Sequence, residues 1–249
     1  MSREHGPSES LAGRRVLVTG ASSGIGEAIA LAVVAAGAHA ALLARSADRL
    51  REVAGQLGGT TVAVPADVTD VLAMRDAVDL AAERLGGLDA VVACAGVARP
   101  GTVAEGDPAD FRLMVEVNVL GVVHTVQAAL PHLIASGAGD IVTMSSMSGR
   151  RVPRGTMGVY SGTKFAVHAI SEGLRLELED EPVRVTTIAP GYVDTAIADD
   201  VPGERGKAFR DAVSSNGIRP STVADLVVTA LGAPREAELV ELAVLPTGE

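Results

Sequence analysis

Tyr160 and Lys164 stand four residues apart in Tyr160-Ser161-Gly162-Thr163-Lys164, at the head of a helical pattern. That spacing puts both side chains on one helix face, one turn apart. A free phenol titrates near ~10 and is a poor acid–base catalyst at neutral pH. A neighbouring ammonium favours the phenolate and lowers that value, so the pair reads as a tuned general acid. Upstream, Ile141-Val142-Thr143-Met144-Ser145-Ser146 reads as a strand ending in two hydroxyls. A serine at a strand's carboxyl end faces the crevice where open α/β sheets bind ligands, and there it can donate to a carbonyl oxygen as charge develops. Taken alone, either hydroxyl also reads as a capping group.

A second set of residues suits a phosphate. Thr19-Gly20-Ala21-Ser22-Ser23-Gly24-Ile25-Gly26 follows an apolar strand and opens a helical pattern. Glycines let the backbone approach a ligand, and the free N–H groups and positive end of the helix then face a pyrophosphate. The strand-to-helix context supports that reading over a plain tight turn. About 20 residues on, the second strand ends in Leu43-Ala44-Arg45-Ser46. Dinucleotide folds place an acidic residue here for a ribose 2′-hydroxyl, or an Arg nearby for a 2′-phosphate. Arg45 without an acidic neighbour at Ala44 favours NADP(H) over NAD(H); the bland alternative is a solvated arginine in a weak surface pair.

The elements that must carry these residues follow from short apolar runs alternating with helical patterns. Val16–Thr19, Ala40–Ala44, Thr61–Val64, Leu88–Ala93, Asp140–Met144, Arg184–Ile188 and Leu239–Val244 read as strands buried on both faces. Gly26–Ala36, Ala47–Gln56, Val71–Leu85, Pro108–Glu116, Leu120–Ser136, Val159–Asp180 and Ser221–Leu231 read as helices, the third capped by Asp70 and stopped by Gly86 and Gly87. This alternation predicts right-handed βαβ units and an α/β fold: a Rossmann-type, doubly wound, seven-stranded parallel sheet with helices on both faces. Residues 1–12 read as a flexible tail and 13–249 as a single domain. The polar stretch 197–218, broken by Pro202, Gly203 and Gly206, reads either as a mobile segment over the site or as a surface loop with one helix.

Composition narrows the rest. The chain has 249 residues, with 21 Lys and Arg against 31 Asp and Glu, a formal net charge of −10. That balance argues against nucleic acid and anionic lipid as partners. Apolar residues make up 47% and aromatics 2%, so the core is Ala, Val, Leu and Ile. One cysteine, Cys94, and five scattered histidines give no metal-ligand spacing and no internal disulfide. The polar N-terminus has no apolar stretch of a signal peptide, and a cytoplasmic location is expected. Ala28–Ala44 is nearly uncharged, but it spans 17 residues broken by Gly37 and His39. A membrane span needs ~20, so this reads as helix, turn and buried strand.

Taken in order, Thr19-Gly20-x-x-x-Gly24-x-Gly26, Ala66-Asp67-Val68, Asn118, Ser145-Ser146, Tyr160-x-x-x-Lys164 and Pro190-Gly191-x-Val193-x-Thr195 resemble the short-chain dehydrogenase/reductase family across nearly the whole chain. The resemblance implies that Tyr160 moves the proton to or from a carbonyl oxygen and that Ser146 orients that oxygen. It implies that Lys164 lowers the tyrosine pKa and holds the nicotinamide ribose, while Asn118 anchors a water of a proton relay. Gly20, Ser22, Ser23, Gly24, Ile25, Gly26, Arg45, Asp67, Val68, Ala95, Gly96 and Pro190, Gly191, Val193 and Thr195 would hold the cofactor. In many relatives the serine stands thirteen residues before the tyrosine. Here Ser146 stands fourteen and Ser145 fifteen before it, and the Ser-Ser-x-x-Gly pattern selects Ser146. The usual Asn-Asn before Ala95-Gly96 is replaced by Ala93-Cys94.

Ser146, Met147, Ser148, Arg154, Met157 and Tyr192 are the substrate-side candidates. Arg150, Arg151 and Arg154 crowd one loop of an acidic chain, so Arg154 or Arg151 is a candidate for an anionic substrate group; a solvated loop or subunit contact is the alternative. The resemblance further implies a homodimer or homotetramer. The reading is an NADP(H)-dependent reductase of ketones or aldehydes, or alcohol dehydrogenase. Its alternatives are an NAD-linked alcohol dehydrogenase, a redox-neutral epimerase or dehydratase, and a non-catalytic nucleotide sensor.

Overall fold

Strand-forming runs and helical stripes assemble as the alternation requires. The computed structural model describes residues 10–58, 61–199, 201 and 203–248. Seven parallel strands run in the order β3-β2-β1-β4-β5-β6-β7. They are β1 (Arg15–Thr19), β2 (His39–Ala44), β3 (Thr61–Pro65), β4 (Ala90–Ala93), β5 (Gly139–Met144), β6 (Val183–Pro190) and β7 (Glu241–Val244). The helices are α1 (Gly24–Ala35), α2 (Ala47–Leu57), α3 (Val71–Leu85), α4 (Pro108–Val115), α5 (Gly121–Ala135), α6 (Gly158–Glu177), α7 (Gly203–Asn216) and α8 (Pro220–Leu231).

Side chains alternate along each strand, so the sheet has two apolar faces and two cores. Val16, Val18, Leu42 and Val92 meet Ile29 and Val33 of α1 and Val223 and Val227 of α8. Leu17, Leu43, Val91 and Ile141 meet Met74 and Val78 of α3, Val126 and Leu133 of α5 and Val167 of α6. Asp70 caps α3 as expected, accepting from the amides of Leu72 and Ala73 at 3.0 Å each. The amino-terminal edge of the sheet is tied by Asp140, 3% exposed, which pairs with Arg14 at 2.7 Å, Arg184 at 2.8 Å and Arg235 at 3.1 Å.

The structure differs from the sequence reading in two places. Leu11 is not part of a loose tail: it is fully buried in the α1 and α8 core, and its amide bonds Ala36 O at 2.9 Å. Residues 1–9 of the expected tail lie outside the described residues. The stretch 197–218 carries the helix α7, one of the two readings given for it, after the 3-10 turn Ala196–Ala198. Finally, α4 and α5 form one helix, Pro108–Ala135, joined through a π-helical turn at Glu116–Leu120. By length and composition this helix, rather than Ala28–Ala44, could cross a membrane, but its inner face packs on the core.

Candidate active site

Strand order reverses between β1 and β4, and the loops leaving their carboxyl ends part there. A cavity of about 810 Å³ opens at this point. It is of the size that holds a cofactor and a small substrate.

One end is built from backbone. Gly20 has φ +69°, and its missing Cβ would lie 2.9 Å from Ala95 Cα. A Cβ on Gly26 would lie 2.2 Å from Gly20 O, so the loop folds tightly onto the start of α1. Ser23, the N-cap of α1, makes no side-chain cap hydrogen bond. The helix therefore presents its amino-terminal N–H groups without a side-chain acceptor, as an anion site requires. Ser22, Ser23, Gly24, Ile25 and Gly26 line the cavity here, with Arg45 and Ser46 beside them. Arg45 is exposed and makes no ion pair among the described residues. Asp67 and Val68 line the next part; Asp67 Oδ1 accepts from the amide and hydroxyl of Thr69, which shapes that turn. Ala95, Gly96, Pro190, Gly191, Val193 and Thr195 line the middle. Glycine cradle, uncapped helix and cation together fit a dinucleotide with its pyrophosphate at α1.

The other end carries the chemistry-bearing side chains. Ser146, Tyr160 and Lys164 all line the cavity and are buried, at 8%, 9% and 4% exposure. Burial pushes the Tyr160 phenol up to about 12, against a lowering hydrogen bond with Ser146. Burial likewise brings the Lys164 ammonium down to about 8, partly opposed by Cys94. Lys164 Nζ donates to Met144 O at 2.8 Å and lies 5.9 Å from the Tyr160 ring centroid. The phenol is not lowered as the Tyr160–Lys164 spacing suggests: desolvation is the larger effect on Tyr160, and the hydroxyl that opposes it is Ser146.

Asn118 is fully buried and off the cavity wall. Its Oδ1 accepts from Val97 N at 2.8 Å, and its Nδ2 donates to Val97 O at 2.9 Å and Thr163 Oγ1 at 3.1 Å. Both amide hydrogens are thus used to pin the loop after β4 to α6. The side chain is a staple between that loop and α6. Asn118 sits within the π-helical turn Glu116–Leu120.

Met147, Ser148, Met157 and Tyr192 line the substrate end, as expected. Arg154 does not: it is exposed, at the N-cap of the 3-10 turn Gly155–Met157, and off the cavity. Arg151 lines the cavity instead, while Arg150 turns away to Glu241. Cavity residues not foreseen include Arg99, Val117, Ile197, Asp199, Phe209 and Val213. Ala98, Met114 and Met157 pack around Tyr160 with Phe111, Ile197 and Phe209, giving this end an apolar wall. Cys94 also lines the cavity, its thiol pushed up to about 12 by burial, which makes it an unreactive hydrophobe.

Residues 14–205 match the profile of the family described as short chain dehydrogenase. An uncharacterized oxidoreductase of Staphylococcus aureus strain USA300 is 37% identical over 231 residues, covering 92% of this chain and 96% of that one. The alcohol dehydrogenase of Thermococcus sibiricus, solved with 5-hydroxy-NADP, is 32% identical with a TM-score of 0.84, covering 95% of this chain and 97% of that one. A short chain dehydrogenase/reductase from Burkholderia phymatum, solved with NAD, is 26% identical with a TM-score of 0.86, covering 94% and 89%. The sheet order, the glycine cradle under α1 and these likenesses agree, and the chain belongs to the short-chain dehydrogenase family of oxidoreductases.

Proposed function

We propose that the protein is an NADP(H)-dependent reductase of ketones or aldehydes, working as an alcohol dehydrogenase in reverse. The observation that carries this reading is the buried group of Ser146, Tyr160 and Lys164 on the wall of a cavity whose far end is a phosphate cradle. The loop Gly20–Gly26, Asp67, Val68, Ala95, Gly96 and Pro190–Thr195 would hold the cofactor, with Lys164 at its nicotinamide ribose. When bound, the nicotinamide supplies the reducing equivalent, for which the chain has no group of its own.

The chain's own part is to bind, orient and move one proton. Ser146 donates a hydrogen bond to the carbonyl oxygen and holds it against the phenol. A phenol raised to about 12 stays protonated across the physiological range, so Tyr160 is a proton donor at rest. As the carbonyl oxygen gains charge it becomes the stronger base and takes that proton. Lys164, one turn along α6, steadies the phenolate that results. Met157, Phe209 and Ile197 exclude water around the phenol, which strengthens each of these interactions.

Arg45 supports NADP(H) over NAD(H), because no carboxylate stands at Ala44 to meet a 2′-hydroxyl. The neighbour solved with NAD keeps an NAD-linked alcohol dehydrogenase as the second reading. Exposed Val115, Leu120 and Val123 on the long helix and Phe165 on α6 support a homodimer or homotetramer. A cytoplasmic location is consistent with the single cysteine. The test is oxidation of NADPH and NADH, in parallel, with a panel of ketones, aldehydes and keto acids. Turnover with NADPH supports the reading. Substrate conversion without net cofactor consumption would replace it with redox-neutral chemistry.

A further inference from the structure

The residue before Ser146 also lines the cavity, and its hydroxyl enters a separate network. Ser145 is 3% exposed, and its Oγ lies 3.0 Å from Lys164 O and 2.8 Å from His168 Nδ1. His168 sits one turn beyond Lys164 on α6, and its Nε2 donates to Glu241 Oε1 on β7 at 3.0 Å. The other oxygen of Glu241 lies 2.5 Å from a terminal nitrogen of Arg150. Partial burial works against the Glu241 charge, but hydrogen bonds from Arg150 and His168 outweigh it and hold the carboxyl below its ordinary range.

The chain Ser145–His168–Glu241–Arg150 thus joins four segments: the end of β5, α6, β7 and the loop after Ser146. Gly149 closes on its centre. A Cβ there would lie 2.5 Å from His168 Nδ1 and 2.8 Å from Ser145 Oγ, so only glycine lets the loop sit on the imidazole. The 3-10 turn Met147–Gly149 is held at one side by Ser146, whose Oγ accepts from Ser148 N at 3.1 Å, and at the other by Arg150 on Glu241. Glu172 and Arg175 of α6 share a small cavity with His168, but they pair with each other at 2.6 Å.

We propose that His168, oriented by Glu241, is a positioning residue for the reaction: it fixes Ser145, and through Ser145 and Arg150 it sets Ser146 and the substrate-side loop 147–151. It touches neither substrate nor cofactor. The proposal rests on the reading of Ser146 as the residue that orients the carbonyl oxygen, and it makes the histidine specific to the substrate half of the cavity.

The experiment compares wild type, His168→Ala and His168→Asn, the last keeping a hydrogen-bonding group near the Nδ1 position. Hydrogen exchange of the cofactor-free protein reads the loop directly, since the amides of Ser148, Gly149, Arg150 and Arg151 all bond within that turn. His168→Ala is expected to speed exchange in 147–151 by ~10-fold or more, leaving β1, α1 and β2 unchanged. With NADPH and a carbonyl substrate, kcat falls on the order of 10-fold while the NADPH Kd stays within about twofold. His168→Asn recovers part of both losses. Unchanged exchange in 147–151, or faster exchange spread evenly over the chain, overturns the proposal. If Tyr160→Phe retained turnover, the reading of the site would fail, and the exchange result would still decide whether His168 sets the loop.

Discussion

Replacing Arg45 separates the two cofactors. Arg45 is exposed at the end of the cavity beside the phosphate loop, and nothing in the described structure pairs with it. A charge-assisted hydrogen bond is worth about 1.5–3 kcal/mol when shielded. Exposure and salt reduce that, so about 1–2 kcal/mol is the figure for this position. Arg45→Ala should therefore weaken NADPH binding by roughly 5- to 30-fold, at 1.4 kcal/mol per tenfold. NADH lacks the 2′-phosphate, so its Kd should move by less than about twofold. Arg45→Asp should weaken NADPH further by repulsion and strengthen NADH. The chain has no tryptophan, so the fluorescence of the reduced cofactor itself can be titrated without protein background from that source. The NADPH effect should shrink as salt rises. Equal weakening of both cofactors by Arg45→Ala, or no change in either, would refute the assignment of Arg45 to the 2′-phosphate.

Other consequences can be measured in the same protein. Lys164 sits near 8 in the cofactor-free chain because of its burial, and a cofactor held by its ammonium must raise that value. NADPH affinity should then be flat below about pH 8 and weaken above it, by up to about tenfold per pH unit, as the free protein loses the proton that the complex keeps. Titrations from pH 6 to 9.5 check this, and Lys164→Arg should flatten the profile. Asp140→Asn leaves three guanidinium groups around a neutral amide at the edge of the sheet. It should cost about 3–5 kcal/mol, read as a Tm drop of roughly 6–20 °C in thermal unfolding.

Much of this was legible because period and turn chemistry are local. The strand–helix alternation, the Asp70 cap and the glycine loop each depend on neighbours in sequence, and the structure places them where the sequence puts them. The Tyr160–Lys164 pair was legible for the same reason, since helix geometry fixes residues four apart. What was hidden depends on contacts between distant segments. The α7 sequence is polar with few apolar positions, and it is helical where Phe209 and Val213 meet the cavity. Arg99 and Phe209 belong to no motif. Which of Arg150, Arg151 and Arg154 turns inward is decided by two short 3-10 turns, whose direction the residue types do not encode. His168 and Glu241 lie 73 residues apart and meet only because β7 pairs beside β6. The phenol's environment was misjudged from spacing alone, because burial by Ala98, Met114 and Met157 is a tertiary effect.

The proposed role of Tyr160 is to move the proton. Tyr160→Phe removes one oxygen from a buried ring and leaves its packing against Met157 and Met114 in place. With NADPH and a carbonyl substrate, kcat should fall by on the order of 10²–10⁴-fold while the NADPH Kd changes by less than about threefold. Turnover within about tenfold of wild type, with the cofactor bound as before, would contradict it, because general-acid catalysis contributes at least ~10² in rate.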